Sequence, residues 1–329
     1  MKHIASYWKR LVQLSILRLV LLIGAITLLV AISSVASLTT QAQEPIYDKA
    51  LTPGTPPDAQ STTGPRPAPG VNVAGALAAS EMAVSIPDAP AYIWHHGCGP
   101  TAAGMVIGYW DSHGFDDLVP GDAHTQTTAV NEMIASEGLA SNYTDYCEPL
   151  DYSWINPEPL PDKSEDPPGD EHPDDCVADY MKTSQSRYNN YYGWSWFSPV
   201  GPAMRYYVDS LGQSDYYVTV SDLYTWWPPY LTWDNFRAEI DAGRPMVLLV
   251  DTDGNGGTDH FVTAVGYDVI GDVPQYACLN TWDDGIHWFE FAPLASGQPW
   301  GIYGAVTFRI VDLDGLDNLV FLPLVLKGY

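Results

Sequence analysis

Hydrophobic and polar positions divide the chain into four stretches. Residues 19–36 are almost continuously apolar, broken by Gly24, Thr27 and two serines. Residues 43–89 are rich in Pro, Gly, Thr and Ala and nearly free of aromatic side chains. Such a composition buries too little apolar surface to order itself, which predicts a linker or propeptide. Aromatic density rises at Tyr92 and Trp94 and stays high to Phe308. The last apolar run, 319–329, is interrupted by Pro323 and too short to span a bilayer, so it reads as a tail for sorting or surface attachment, or as a final edge strand.

The aromatic-rich stretch carries the periodicities of a fold. Residues 100–113 are small or apolar on every side (Ala102, Ala103, Met105, Val106, Ile107, Tyr109, Trp110) and stop before Gly114, which predicts a buried helix. Further helices are predicted at 128–137, 175–184, 202–211 and 233–242, the last closed by Gly243. Beyond Gly243 the pattern changes to short β-branched and aromatic runs at 246–250, 260–267, 275–280, 286–291 and 301–311, separated by Gly/Asp turns. Helices first and strands second predict an α+β domain at 90–312, with one central helix laid on an antiparallel sheet, between a linker at 43–89 and a tail at 313–329.

Charge and the first 42 residues fix the expected compartment. Lys2, Lys9, Arg10 and Arg18 precede or open the apolar run, and no acid lies before it, as in a signal peptide or signal anchor. Without these four basic residues, 10 of the 14 remain against 40 acids, a charge of −30. That charge argues against nucleic acid and anionic membranes as partners and suits a secreted or cell-surface protein, with membrane contact only through the N-terminal segment or C-terminal tail. A monomer is expected. Export also permits disulfides. Of Cys98, Cys147, Cys176 and Cys278, the pair Cys147 and Cys176 flanks a Pro-rich acidic segment and is expected to bridge, removing roughly 3 kcal/mol of unfolded-chain entropy. Cys278 sits in a strand-like run as a small buried hydrophobe.

The candidate chemistry starts from Gly97-Cys98-Gly99-Pro100-Thr101-Ala102-Ala103. Cys98 stands just before a first-turn proline, where free N–H groups and the helix dipole favour thiolate. His260 opens an apolar strand far along the chain and is the candidate base; His95 and His96 lie too close in sequence to approach the sulfur from across a cleft. Asn280 or Asp283, in the turn Asn280-Thr281-Trp282-Asp283, would orient the imidazole.

Four elements in one order, the Cys-Gly-Pro-Thr-Ala-Ala helix, the Ile240-Asp241-Ala242-Gly243-Arg244-Pro245 corner, the Asp259-His260-Phe261 strand and the Asn280-Thr281-Trp282-Asp283 turn, resemble the branch of the papain-like cysteine peptidase superfamily similar to the bacteriocin-leader-processing (double-glycine) peptidases. The segment 178–184 also resembles exported bacterial members. The resemblance implies a papain-like fold, Cys98 as nucleophile, His260 as general base and Asn280 as the residue that orients it. The 162 residues from Cys98 to His260 exceed the papain separation of roughly 130 to 150, and the acidic segment 151–176 accounts for the excess. One departure stands out: relatives place a glutamine oxyanion donor six residues before the nucleophile, where this chain has Tyr92. The backbone N–H of Cys98, with Trp94, His95 or His96, would have to replace it, and one missing donor costs about 100-fold or more in rate.

The stretch 251–259 places Asp251, Asp253, Asn255 and Asp259 at alternate positions with Gly256 sixth, as a Ca2+ loop does, but Val262 stands at the twelfth position, which favours a hairpin turn. No cofactor is required by this chemistry. The expectation is therefore an exported thiol hydrolase acting on a peptide or protein. The rivals are a catalytically impaired relative that binds peptide or glycan, and a cell-wall amidase or transpeptidase with the same triad.

Overall fold

The computed structural model describes residues 56–75, 80–142, 174–185, 188–213 and 215–313. Residues 1–55, which include the expected signal, Cys147 and the stretch beyond residue 313 lie outside them. Helix α1 runs over Cys98–Asp111, and every residue in it except Trp110 is buried. It can sit this deep because its small residues admit close neighbours: Gly104 lies against Ile134, and at Gly108 a side chain would collide with the Tyr92 hydroxyl. Around it stand α2 (Thr128–Ile134), α3 (Glu137–Asn142), α4 (Val177–Tyr180) and α5 (Val200–Ser210). The predicted helix at 175–184 shrinks to the four residues of α4 because Lys182 and Ser184 turn left-handed, at φ of 55° and 64°.

The sheet is antiparallel throughout. Its strands are β1 (Val84–Ser85), β2 (Tyr216–Tyr224), β3 (Met246–Asp251), β4 (His260–Ile270), β5 (Val273–Leu279), β6 (Ile286–Glu290) and β7 (Gly301–Asp312). The order is β2-β7-β3-β4-β5-β6, with β1 beside the far end of β4, where β3 no longer runs. Both faces are covered, which explains the unbroken apolar run of β3. Val247 and Leu249 face the core shared with α1 and α5, while Met246, Leu248 and Val250 face a second core with Phe236 and Ile240 of α6 (Trp233–Asp241). Helix α6 begins with a capping box between Thr232 and Asn235 and ends at Gly243, φ 67°. Behind it the buried Glu239 pairs with Arg244 at 2.6 Å and with Arg309. Burial alone would raise this carboxyl, but the two guanidinium groups hold it below its usual value.

Two expectations need correction. The segment 43–89 is not wholly a free linker: β1 joins the sheet, Ile86 is buried, Val71 and Val73 pack on the second core, and Ser80 bonds Asp268 at 2.7 and 2.9 Å. These residues order by borrowing main-chain partners and apolar surface from the folded domain. The expected Cys147–Cys176 bridge is also not formed: Cys176 is a free, buried thiol in the core that donates to Asp179 Oδ2 at 3.2 Å. Among the described residues no helix is long and apolar enough to cross a membrane.

Candidate active site

The chain enters α1 through a tight turn. His96 takes φ of 60°, and the Thr101 hydroxyl binds back to Gly97 O at 2.7 Å while accepting the His95 N–H at 3.0 Å. Cys98 is thereby fixed as the first helical residue, its side chain fully buried. Strand β4 lies against this helix end. The Phe261 N–H donates to Cys98 Sγ at 3.5 Å, and the Thr263 hydroxyl ties β4 to Ala102 O at 2.9 Å. The residue before Phe261 is His260, so the start of α1 and the start of β4 come together although Cys98 and His260 lie 162 positions apart in sequence.

His260 is oriented by the turn after β5. Its Nε2 bonds the Asn280 main-chain oxygen at 2.6 Å, with the Thr281 hydroxyl at 3.4 Å, and its ring stacks on Trp282 at 3.7 Å. A carbonyl only accepts, so Nε2 carries the proton and Nδ1 is left as acceptor. Nδ1 lies 2.5 Å from the Thr63 hydroxyl, which is also 3.8 Å from Cys98 Sγ. Burial shapes both groups: it pushes the Cys98 thiol up and brings His260 down to about 3, the Asn280 bond offsetting the latter in part. The resting pair is neutral thiol and neutral imidazole, where the helix position alone suggested thiolate.

The remaining predicted residues separate. Asn280 orients His260 through its backbone, because its Oδ1 is taken up by the N–H groups of Trp282 and Asp283 at 2.9 and 3.1 Å in forming the turn. Asp283 bonds His287 at 2.6 Å rather than His260. His95 reaches Ala135 O at 3.2 Å, on the helical side. Trp94 is held by its N–H to Thr281 O at 2.6 Å, and its indole Nε1 is buried without a partner. His96 has a buried, unpartnered Nε2, stands edge-on to Tyr192 at 4.8 Å and is brought down to about 3, mainly by burial. Tyr92 points away from Cys98 into the core, bonding Ala123 O beside Gly108. Its position serves packing.

The acidic loop before His260 is built as a turn. Asp251 accepts from Gly254, Asn255 and Gly256 N–H at 2.8, 3.3 and 2.6 Å, and Asp259 accepts from Thr252 N–H and hydroxyl at 2.9 and 2.5 Å. Asn255 closes on Asp253 and Gly257. Carboxylate oxygens of Asp251, Asp253 and Asp259 lie within 4.8 Å of one another. Asp259 is raised to about 7 by burial first and by the two neighbouring carboxyls second. The turn fixes the direction from which β4 delivers His260.

The participants that sequence reasoning missed are Ser61 and Thr63. They sit in the stretch read as a linker, and no periodicity marks them.

A buried helix that carries a thiol at its start, laid on an antiparallel sheet behind a helical first half, is a papain-like cysteine peptidase architecture. The Peptidase_C39-like family matches residues 86–288, more than half of the chain, and the protein belongs to that family. A search of curated proteins finds no match. Among solved structures, one from work on the mite allergens Blo t 1 and Der p 1 is 15% identical, covers 27% of this chain and 34% of its own, and has a TM-score of 0.21. SERA5E from Plasmodium falciparum is 14% identical, covers 28% and 47%, and has a TM-score of 0.19. The chain thus spans less than half the length of either.

Proposed function

We propose that this protein is an exported thiol hydrolase that cleaves peptide bonds through an acyl-enzyme on Cys98. The observation that carries the reading is the shared contact of Cys98 Sγ and His260 Nδ1 with one small hydroxyl, beside main-chain edges suited to an extended peptide. His260 Nδ1 takes the thiol proton as sulfur attacks the peptide carbonyl carbon. The Cys98 N–H, at the open end of α1, donates to the oxygen that becomes negative. The imidazolium then protonates the departing amine, the C–N bond breaks, and a thioester remains. Water, losing its proton to Nδ1, attacks the thioester, releases the acid and restores the thiol. Export rests on the basic and then apolar first 42 residues.

The test is hydrolysis of a panel of extended peptides, with an acid quench to capture the thioester. A mass increase on the Cys98 peptide equal to the acyl half of the substrate supports the reading. Turnover that survives Cys98→Ala overturns it.

One observation favours a second reading, a non-catalytic relative that binds peptide in the same groove: the Tyr92 side chain is turned into the core, leaving that position without a donor toward the oxyanion. Peptide binding with no thioester at any pH would select it. An amidase or transpeptidase with the same residues differs only in substrate, which the same panel extended to cell-wall peptides distinguishes.

A further inference from the structure

The groove beside Cys98 is occupied by the chain itself. Residues 58–64 run through it in extended form, with Gln60 and Trp196 in antiparallel register. On one side Ser61 N–H donates to Ser195 O at 2.9 Å, Phe197 N–H to Ala59 O at 2.8 Å and Ser195 N–H to the Ser61 hydroxyl at 3.1 Å. On the other side the N–H groups of Thr62 and Thr63 both reach Asp259 O, at 2.8 and 3.0 Å, and the Thr258 hydroxyl reaches Gln60 O at 2.9 Å. The ends are pinned as well. Asp58 accepts from Ser198 N–H and hydroxyl at 3.0 and 2.6 Å, Gln60 Nε2 donates to Asn189 O and Asn190 Oδ1, and Trp282 Nε1 donates to Gly64 O at 3.2 Å.

Resting on the assignment of Cys98 and His260 above, we propose that residues 58–64 are a tethered occupant of the substrate groove which holds the thiol closed, and that the groove takes extended peptides with small side chains opposite Cys98. Three observations carry this. The contacts are mostly main-chain, on both sides, as a site that reads extended backbone needs. Of this segment Ser61 and Thr63 reach the sulfur; Ser61 is fully enclosed and Thr63 is 2% exposed, so larger side chains have no room there. The wall behind is equally close: a side chain on Gly97 would come within 3.0 Å of Thr183. Finally, the Thr63 hydroxyl, which also lies 2.9 Å from Asp259 O, stands 2.5 Å from the Nδ1 that must accept the thiol proton and covers it. While Thr63 is in place the base is covered by an alcohol, and Cys98 stays a buried, neutral thiol. Because the occupant is tethered, a free peptide competes against a local concentration on the order of millimolar.

The test uses the full chain with Ser61→Pro and Thr63→Pro, which remove two groove N–H donors and both hydroxyls. The rate of iodoacetamide alkylation is mapped by mass to each cysteine. Cys176 and Cys278, both buried, serve as internal reporters of unfolding. The expected result is at least about a ten-fold rise at Cys98 alone, reversed by adding a synthetic peptide of residues 56–66. Should all three thiols react together, Thr63→Ala in the otherwise native chain replaces the double variant, with a rise of about three-fold expected. A Cys98 rate unchanged in a folded variant, or a wild-type Cys98 that already reacts like a free thiol, overturns the proposal. The two readings fail separately. An opened Cys98 that alkylates fast but cuts no peptide sinks the hydrolase and leaves the occupant standing; wild-type hydrolysis as fast as that of the opened variant does the reverse.

Discussion

Among the described residues two buried thiols stand at the leading ends of helices, and their surroundings differ. Cys98 begins the 14-residue α1; Cys176 caps the four-residue α4. Both are fully enclosed, and burial pushes both thiols up. Their neighbours differ in kind. Cys98 meets the Phe261 N–H and a hydroxyl shared with the unprotonated nitrogen of a neutral imidazole. Cys176 meets the carboxyl of Asp179, itself raised to about 8 by burial, so a thiolate there would face a like charge. A helix start helps a thiolate only when its other neighbours let it form.

The comparison is broken most severely at the nucleophile. In the chain opened by Ser61→Pro and Thr63→Pro, Cys98→Ala should lower kcat/KM for peptide hydrolysis to below roughly one ten-thousandth, whereas Cys176→Ala should leave it within about three-fold. A comparable loss from both would mean that the core around α4, rather than the sulfur, limits activity. Next in size, His260→Ala should cost about 1,000-fold in kcat and His95→Ala only a few-fold, since the His95 ring is engaged with Ala135 O. Asn280→Ala should cost about ten-fold or less, because the orienting oxygen belongs to the backbone and survives the change. A loss approaching that of His260→Ala would instead give the amide the orienting role that the sequence suggested.

The smallest effect concerns the second thiol's partner. A carboxyl raised in the folded chain stabilises most below its unfolded value, near 4, and that stabilisation is lost as pH rises toward about 8. Asp179→Asn should remove this trend. Between pH 5 and 7 the wild-type Tm should fall by several degrees relative to the variant, a slope on the order of 1 kcal/mol per pH unit at most. Parallel Tm curves would show that Asp179 is ionised throughout.

Much of this contrast is written locally in the sequence. The all-round apolar face of 100–113 and most of the strands after Gly243 depend on residue type at short range, and the structure places these elements as expected. What was hidden depends on long-range pairing. Strand β2 alternates only weakly, with Val218 and Tyr224 alone of its nine residues buried, and is secured by its register with β7. Strand β1 is two residues long and exists because β4 outruns β3. Residues 58–64 have the composition of a linker and order through the main chain of Ser195, Phe197 and Asp259, which composition does not reveal. The fate of Cys176 likewise turned on Asp179 three residues on, a contact the spacing of cysteines does not encode.

The account turns on a proton passing from Cys98 to His260, and the pH dependence of Cys98 alkylation in the opened chain measures it most directly. With His260 present, the rate should hold through neutral pH and fall only on the acid side, as the imidazole takes up a proton of its own. With His260→Ala, the acid limb should vanish and the rate should climb only through the ordinary thiol range. Superimposable profiles for the two proteins would contradict the pairing, and with it the hydrolase.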